Sequence, residues 1–324
     1  MEMLPSATIL VIAYRNEGTI ADALHSALAQ TVPCEIIVSD DCGGDRTLDI
    51  AREIVATYDG PHRITVRSTP RNLGLCAHLT ELARLAAGDV LVCCAGDDIS
   101  YQHRVERLLR RFAEFPAAQV VGSHVDDVDA VGTLLEARVR GTPPVIDQRW
   151  LLRRGRLAAV LGASMAIRRA LLTKFPPLEG RVEDNMLTLR AVLAGECHCL
   201  PDALLAYRRH ANNLGDWVFD RSGTDYTAFE RRQRRVLSMY REIAADQLRC
   251  VEARPDLPDD RRRLGRELAA MYALEAEMRE AVLDRPRREW LSPLWRGLRH
   301  PGLRRKSAER ALKLLLPRRL FGRG

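Results

Sequence analysis

Residues 8–45 read TILVIAYRNEGTIADALHSALAQTVPCEIIVSDDCGGD. Positions 8–13 are apolar and β-branched, as suits a strand buried on both faces. Positions 19–30 then set Ile20, Ala23, Leu24, Ala27 and Leu28 at helical spacing, and 35–39 return to a strand pattern before Asp40-Asp41. The alternation continues through strands at 63–67 and 89–94 and helices at 47–58 and 75–86. A strand and a helix repeating at this interval predict a mainly parallel sheet covered by helices on both faces, with ligands gathered at the carboxyl ends of the strands.

The loops at those ends are rich in polar groups: Tyr14-Arg15-Asn16-Glu17, Asp40 to Asp45, Arg71-Asn72-Leu73-Gly74 and Ala95-Gly96-Asp97-Asp98. Asp and Gly also end strands and cap helices, as Asp45 is placed to do before Thr47. Four such loops on one edge point instead to a ligand. The chain has no GxxxxGK[ST] and no GxGxxG after its first strand, which argues against a P-loop ATPase or a nicotinamide enzyme. Paired aspartates at a sheet edge suit a nucleoside and a divalent cation held against a diphosphate, because hard cations prefer oxygen ligands.

Composition bounds the rest. The chain has 324 residues, 46% hydrophobic and 29% charged, enough for one large domain or two ordinary ones. No stretch of 18 apolar residues is present and 1–7 lack a signal-peptide pattern, so the expected location is the cytoplasm. Eight cysteines without a CxxC spacing read as buried apolar residues in a reducing compartment, not as a zinc site. The net charge of +7 sits in a tail, where 285–324 carry thirteen Lys and Arg against two Glu. A near-neutral body predicts no nucleic-acid partner and an enzyme with a basic address or docking element.

From 117 onward the pattern loosens. An apolar run at 119–125 is followed by a predicted hairpin turn at 126–132, a Pro- and Gly-rich loop at 138–150 and a helix at 182–194. Short strands are expected near 197–201 and 204–208, and long helices at 226–249 and 259–282.

The order IAYRNEGTIADALHSALAQT, IIVSDDCGGDRT and RNLGLCAHLTELARLAAGDVLVCCAGDD resembles the nucleotide-binding half of family 2 glycosyltransferases, and VEDNM at 182–186 and YRRHANN at 207–213 recur in the right order. The resemblance implies a GT-A fold, an α/β Rossmann-like mixed sheet, over 1–220. Residues 1–125 would form the nucleotide half, 126–220 the acceptor half, and 221–324 a helical, basic extension. It implies that Tyr14 stacks on the base, Glu17 lies near the nucleoside, Asp41 accepts a hydrogen bond from the base, and Asn72 and Gly74 support the nucleotide. Asp97 and Asp98 stand at the family's DxD, with Asp97 toward the ribose and Asp98 toward a cation, Mn2+ or Mg2+. Ala95 replaces the first Asp of the usual motif. Alternatively the two aspartates cap the helix expected at 101–115.

By the same resemblance Asp184 is the general base for the acceptor hydroxyl, with Glu183 beside it at the acceptor site. His210 approaches the diphosphate or its metal, and Arg208, Arg209 and Asn213 belong to a loop closing over the donor. Ordinary acidity at a helix N-terminus and a basic surface loop are the alternative readings.

The resemblance as a whole implies an inverting transferase that moves a sugar from a nucleotide-diphosphate donor, a uridine one by preference, to a hydroxyl acceptor. The acceptor is a glycan, a lipid-linked molecule or a small molecule, as in bacterial surface polysaccharide or lipopolysaccharide synthesis. Two other readings stay open. Ala95 would suit a catalytically silent nucleotide- or glycan-binding relative, and the tail would suit a membrane-surface or nucleic-acid adaptor. In 290–321 Trp, Leu and Phe alternate with Arg and Lys, a pattern for peripheral contact with an anionic membrane through 285–324 or for packing on the chain's own helices.

Overall fold

The computed structural model describes residues 4–139, 142–210 and 226–315. Its contacts gather into two units: Met1–Ile146 with Ala159–His210, and Asp147–Ala158 with Ala211–Gly324.

The described strands in chain order are β1 (Ala7–Ala13), β2 (Glu35–Asp40), β3 (Arg63–Ser68), β4 (Val90–Ala95), β5 (Ile99–Ser100), β6 (Ala118–Val128), β7 (Leu134–Val139), β8 (Val145–Ile146), β9 (Ala166–Arg168) and β10 (Glu196–Arg208). The first unit's helices are α1 (Ile20–Leu28), α2 (Thr47–Ala56), α3 (Leu75–Leu85) and α4 (Arg104–Glu114). In the second unit lies α5 (Gln148–Arg154), and the first resumes with α6 (Ala170–Thr173) and α7 (Glu183–Ala194).

All ten strands form one mixed sheet in the order β3-β2-β1-β4-β9-β6-β10-β5, with β7 on β6 and β8 on β10. Strands β1 to β4 run parallel, and β6 runs parallel to β10. The short β9 is antiparallel to both its neighbours, β4 and β6. Because that antiparallel spacer restores the direction, the carboxyl ends of β1 to β4, β6 and β10 share one edge. Ile9, Leu10 and Val11 on successive positions of β1 are all buried, as a strand covered on both faces requires. Ile20, Ala23, Leu24 and Ala27 of α1 are the face that packs inward.

Three expectations are corrected. β6 continues to Val128, and the turn is Asp129 to Gly132, because Asp127 is buried inside the strand and paired with Arg209 at 2.8 Å. The predicted loop at 138–150 contains β8 and the start of α5, which Asp147 caps by accepting from the Trp150 N–H at 2.6 Å and which Gly155 ends at φ +63°. The two short strands near 197–208 are one strand, β10, whose register slips between Leu200 and Ala203 and again before Ala206. Seven of the eight cysteines are buried and Cys42 is exposed.

In the second unit α8 (Tyr226–Ala253) and α9 (Asp259–Asp284) pack together, followed by α10 (Leu291–Arg299) and α11 (Arg304–Leu312). Trp290, Leu294 and Leu303 of the tail are buried there, with the Trp290 indole N–H donating to the Arg285 carbonyl at 3.0 Å. Part of the amphipathic pattern is therefore core. Leu291, Trp295, Leu312 and Leu315 face outward. Residues 316–321 of that pattern lie outside the described residues. Among the described residues no helix is long and apolar enough to cross a membrane.

Candidate active site

The shared edge begins with the loop after β1. Arg15 takes φ +56°, which turns the chain sharply and leaves Tyr14 exposed at the rim. Asn16 organises this corner: its Oδ1 accepts from the Tyr14 N–H at 2.8 Å, and its own N–H donates to Thr47 Oγ1 at 2.8 Å. The same Oδ1 lies so close to Gly96 that a Cβ there would sit 2.8 Å from it, so residue 96 must be glycine for the loops after β1 and β4 to meet. Thr19 Oγ1 closes the contact by donating to the Gly96 carbonyl at 2.8 Å. Glu17 accepts from the Arg46 N–H at 3.2 Å while its N–H donates to Asp45. Asp45 also accepts from the Thr47 N–H at 3.1 Å, but the N-cap of α2 is Arg46, so Asp45 closes the turn ahead of the helix without occupying its capping position.

Asp41, directly beyond β2, is buried and clamps the next loop. Its Oδ1 accepts from Thr69 Oγ1 and the Leu73 N–H, each at 2.9 Å, and its Oδ2 from the Gly74 N–H at 2.8 Å. Asn72 Oδ1 accepts from the same Gly74 N–H at 3.0 Å, and Gly74 sits at φ +77°, a conformation costly for residues with a Cβ. The structure thus joins Asp41, Asn72 and Gly74. It also shows a group that the sequence reading passed over. Asp40 is buried with Oδ2 accepting from the Gly43 N–H at 2.9 Å, while Oδ1 has no hydrogen-bond partner among the described residues. Burial pushes the Asp40 carboxyl above the ordinary carboxylate range, and the charges of Asp45 and Asp41 add to this against the Gly43 hydrogen bond. Asp40 is the last residue of a strand whose interior is apolar, and that position is the signal that could have found it.

The loop after β4 holds the second cluster. Asp98 is 2% exposed; its Oδ1 accepts from the Arg208 N–H at 2.9 Å and its Oδ2 has no partner among the described residues. Burial and then the Asp97 charge raise its pKa well above the ordinary value. Asp97 Oδ2 lies 2.7 Å from His210 Nε2. Neither aspartate caps α4, whose N-cap residue is His103. Arg208 is 4% exposed, and its guanidinium donates to the Asp97 carbonyl at 2.8 Å, the Ala130 carbonyl at 2.6 Å and Asp22 Oδ2 at 3.0 Å. Its head is thus committed to holding loops together. Asn213 lies outside the described residues.

The third cluster is the start of α7. Glu183 and Asp184 are its first two residues, and Asp184 Oδ1 accepts from Asn185 N at 2.6 Å and Asn185 Nδ2 at 2.8 Å. Glu183 Oε1 packs on Gly162, where any Cβ would collide with it. Burial, and then the Asp184 charge, push the Glu183 carboxyl up to about 8. The turn Gly162–Ser164 is tied to the sheet by Arg104, another group the sequence reading missed. Fully buried, Arg104 donates to the carbonyls of Cys93 and Ala163, each at 2.7 Å, and to Ser100 Oγ at 2.8 Å. Through Arg104 the acidic pair is anchored near the carboxyl half of β4.

Among the described residues no group of three or more His, Cys, Asp or Glu side chains is arranged to hold a metal ion. What the chain offers a cation is Asp98 Oδ2, buried and without a hydrogen-bond partner among the described residues, and the neighbouring Asp97 carboxylate with His210 against it. Two carboxylates and an imidazole nitrogen fit a divalent ion only if a ligand's phosphates complete its shell.

The family model described as Glycosyl transferase family 2 matches residues 8–175. A Mycobacterium tuberculosis protein is 28% identical over 212 residues, covering 64% of this chain and 60% of its own length, so the chain spans less than two thirds of that relative. Among solved structures, S. aureus TarS 1-349 in complex with UDP-GlcNAc superposes with a TM-score of 0.56 at 19% identity, covering 94% of this chain and 83% of that one. A mannosyltransferase from Pyrobaculum calidifontis in complex with GDP-Man and Mn2+ does so at 0.56 and 16%, covering 97% and 88%. These likenesses show the GT-A fold.

Proposed function

The chain belongs to glycosyl transferase family 2, and on that premise we propose that it moves a sugar from a nucleotide-diphosphate donor, a uridine one by preference, to a hydroxyl acceptor with inversion at the anomeric carbon. The observation that carries this reading is the locked Asp97-Asp98 loop at the sheet edge, with one buried carboxylate oxygen that has no hydrogen-bond partner among the described residues. Tyr14 offers a ring to stack on the base, and the Asp40-Asp41 corner offers carboxylate oxygen to a ring N–H. Asp97, Asp98 and His210 would hold a divalent cation, which supplies positive charge against a departing diphosphate. That relatives of this fold were solved with UDP-GlcNAc or with GDP-Man and Mn2+ supports the class of donor and cation.

Asp184 takes the acceptor's proton as the hydroxyl attacks. Burial, and then the Asp184 charge, raise the neighbouring Glu183 carboxyl to about 8, so Glu183 keeps its proton near neutral pH. Orientation comes from the rigid α7 and the Gly162 turn, which fix the base relative to β4. The proposed acceptors are a glycan, a lipid-linked molecule or a small molecule, with peripheral membrane contact through the basic tail.

A thermal-shift series with UDP and GDP sugars, with and without Mn2+, tests the reading, since a ligand bound to the folded form raises the melting point. Asp184→Asn is expected to keep the shift and lose transfer. Loss of both would assign Asp184 a structural role, and a chain that shifts with donor yet transfers to no acceptor would favour the silent relative suggested by Ala95.

A further inference from the structure

We infer that α10 and the segment before it form a docking surface for an anionic phospholipid bilayer, built from Arg288, Leu291, Trp295 and Arg299. This deepens the membrane contact proposed above. It does not depend on the identity of the donor or acceptor.

The helix divides its side chains sharply. Pro293, Leu294 and Gly297 are buried, and with Trp290 just ahead they settle how α10 sits on its own unit. On the outer side Leu291 is 60% exposed and Trp295, one turn on, is 53% exposed. A lone exposed leucine needs no explanation, but a tryptophan and a leucine stacked at i and i+4 on a helix already anchored by its other face do. The Arg299 guanidinium lies 3.4 Å from the centroid of the Trp295 ring, one turn further along. Arg288 stands at the other end of the stripe and is likewise exposed. The order along the face is therefore arginine, leucine, tryptophan, arginine.

A third apolar group belongs to the same neighbourhood. Arg287 donates to the Leu314 carbonyl at 2.8 Å, which brings the exposed Leu315 next to the start of this face. Around it Arg296, Arg304 and Arg305 are also exposed. From 285 to 315 the chain carries ten basic and two acidic residues; Arg285, Arg296, Lys306 and Arg310 pair with Glu275, Glu277 or Glu280 of α9, and Arg287, Arg288, Arg299, Arg304 and Arg305 stand exposed as the remaining positive groups of the surface.

Charge decides the occupant. A second copy of the chain would bring an equally basic face against this one and be repelled. Arg288, Arg296 and Arg305 pair with Glu289, Glu277 and Glu309, but Arg299 and Arg304 have no carboxylate partner among the described residues, and a neutral hydrophobic partner would leave these two without counterions. A bilayer with anionic headgroups satisfies both parts: indole and leucine settle at the acyl boundary while guanidinium groups remain among the phosphates. Arginine suits that depth because its planar head stacks on indole and bonds phosphate at once.

The test is flotation of the full chain with vesicles of phosphatidylcholine alone and of phosphatidylcholine mixed with phosphatidylglycerol. Wild type is expected to float with the anionic vesicles at low salt and to be released at high salt. Leu291→Ser with Trp295→Ser should weaken that partition by about tenfold, and Arg288→Glu with Arg299→Glu by at least as much. Tryptophan emission should shift to the blue on vesicle binding in wild type, and the shift should vanish in Trp295→Phe. Both double variants change exposed side chains, and unchanged melting points will confirm that they fold. Equal partition onto neutral and anionic vesicles, no partition at all, or partition unaltered in the Leu291/Trp295 variant overturns the inference. So does light scattering that shows a dimer abolished by the same variant, because the face would then belong to a second copy.

Discussion

Arg208 belongs to β10 by sequence, yet its head and backbone bind groups from three other places. They are the Asp97-Asp98 loop, Asp22 of α1 and Ala130 in the turn between β6 and β7. A guanidinium suits the task because it presents several donors in fixed directions, whereas lysine offers a compact head on a flexible stem. Arg208→Met strands three acceptors and is expected to cost about 3 kcal/mol of stability, read by chemical denaturation. Arg208→Lys should recover part of this but not the Mn2+-dependent component of the UDP thermal shift, because the Asp97 carbonyl and Asp22 cannot both be served. A Lys variant with wild-type Mn2+ dependence would show that the loop holds its shape without the fork. Glu183 gives a prediction with a sign. Its carboxyl is raised from an ordinary 4.5 to about 8, so the folded chain binds a proton that the unfolded chain has released between those values. Its contribution to stability is fully present below 4.5 and is lost as pH rises through about 8. Glu183→Gln should flatten the melting-temperature profile over that window, and a variant profile parallel to wild type would place the responsible group elsewhere. Asp97-Asp98 was legible as a short acidic motif directly after an apolar strand, whereas Glu183-Asp184 opens a helix and was singled out only by the family resemblance. Asp40 and Arg104 were not legible: one is masked by its neighbour Asp41, and the other is an arginine among apolar residues whose partners are carbonyls that no motif announces.

At the scale of elements, what could be read in advance was what both-face burial writes into a sequence. β1, β2 and β4 are runs of apolar residues with no room for another reading, and α1 to α3 repeat their apolar positions at helical spacing. β10 escaped because Pro201 and Asp202 interrupt it, and the pairing tolerates them by slipping register instead of ending. α5 escaped because its neighbours Pro143, Pro144 and Gly155 give the region a loop composition, although Asp147 carries a genuine start signal. That cap is separable from the candidate site. Asp147→Ala removes the acceptor for the Trp150 N–H and should lower stability by about 1 kcal/mol, with the nucleotide-induced shift unchanged. A lost nucleotide response in that variant would mean that α5 supports the edge after all.

On the scale of the whole molecule the division of labour follows charge. The family match ends at residue 175, within the α/β unit, and the helical unit is held by different means. At its centre Glu275 is fully buried, bonded by Arg310 at 2.6 and 2.7 Å and by Arg279 at 3.0 Å, with Lys306 at 3.8 Å. Burial alone would raise the Glu275 carboxyl, but the hydrogen bonds and charge of Arg310, with Arg279 and Lys306 behind, outweigh it and hold the group below its ordinary value. Three cations thus converge on one carboxylate that water does not reach, Arg279 buried with it and Arg310 and Lys306 partly exposed. Such a cluster contributes less to stability than its contacts suggest, since each ion surrendered its hydration, yet removing the one anion leaves buried charge without compensation. Glu275→Ala is therefore expected to destabilise the helical unit by about 3–5 kcal/mol. The α/β unit contains none of these groups, so its response to UDP and Mn2+ should persist. Calorimetry should then resolve a transition lowered by the substitution and a second one still raised by nucleotide. A single transition that falls and loses its nucleotide response together would show that the two units unfold as one.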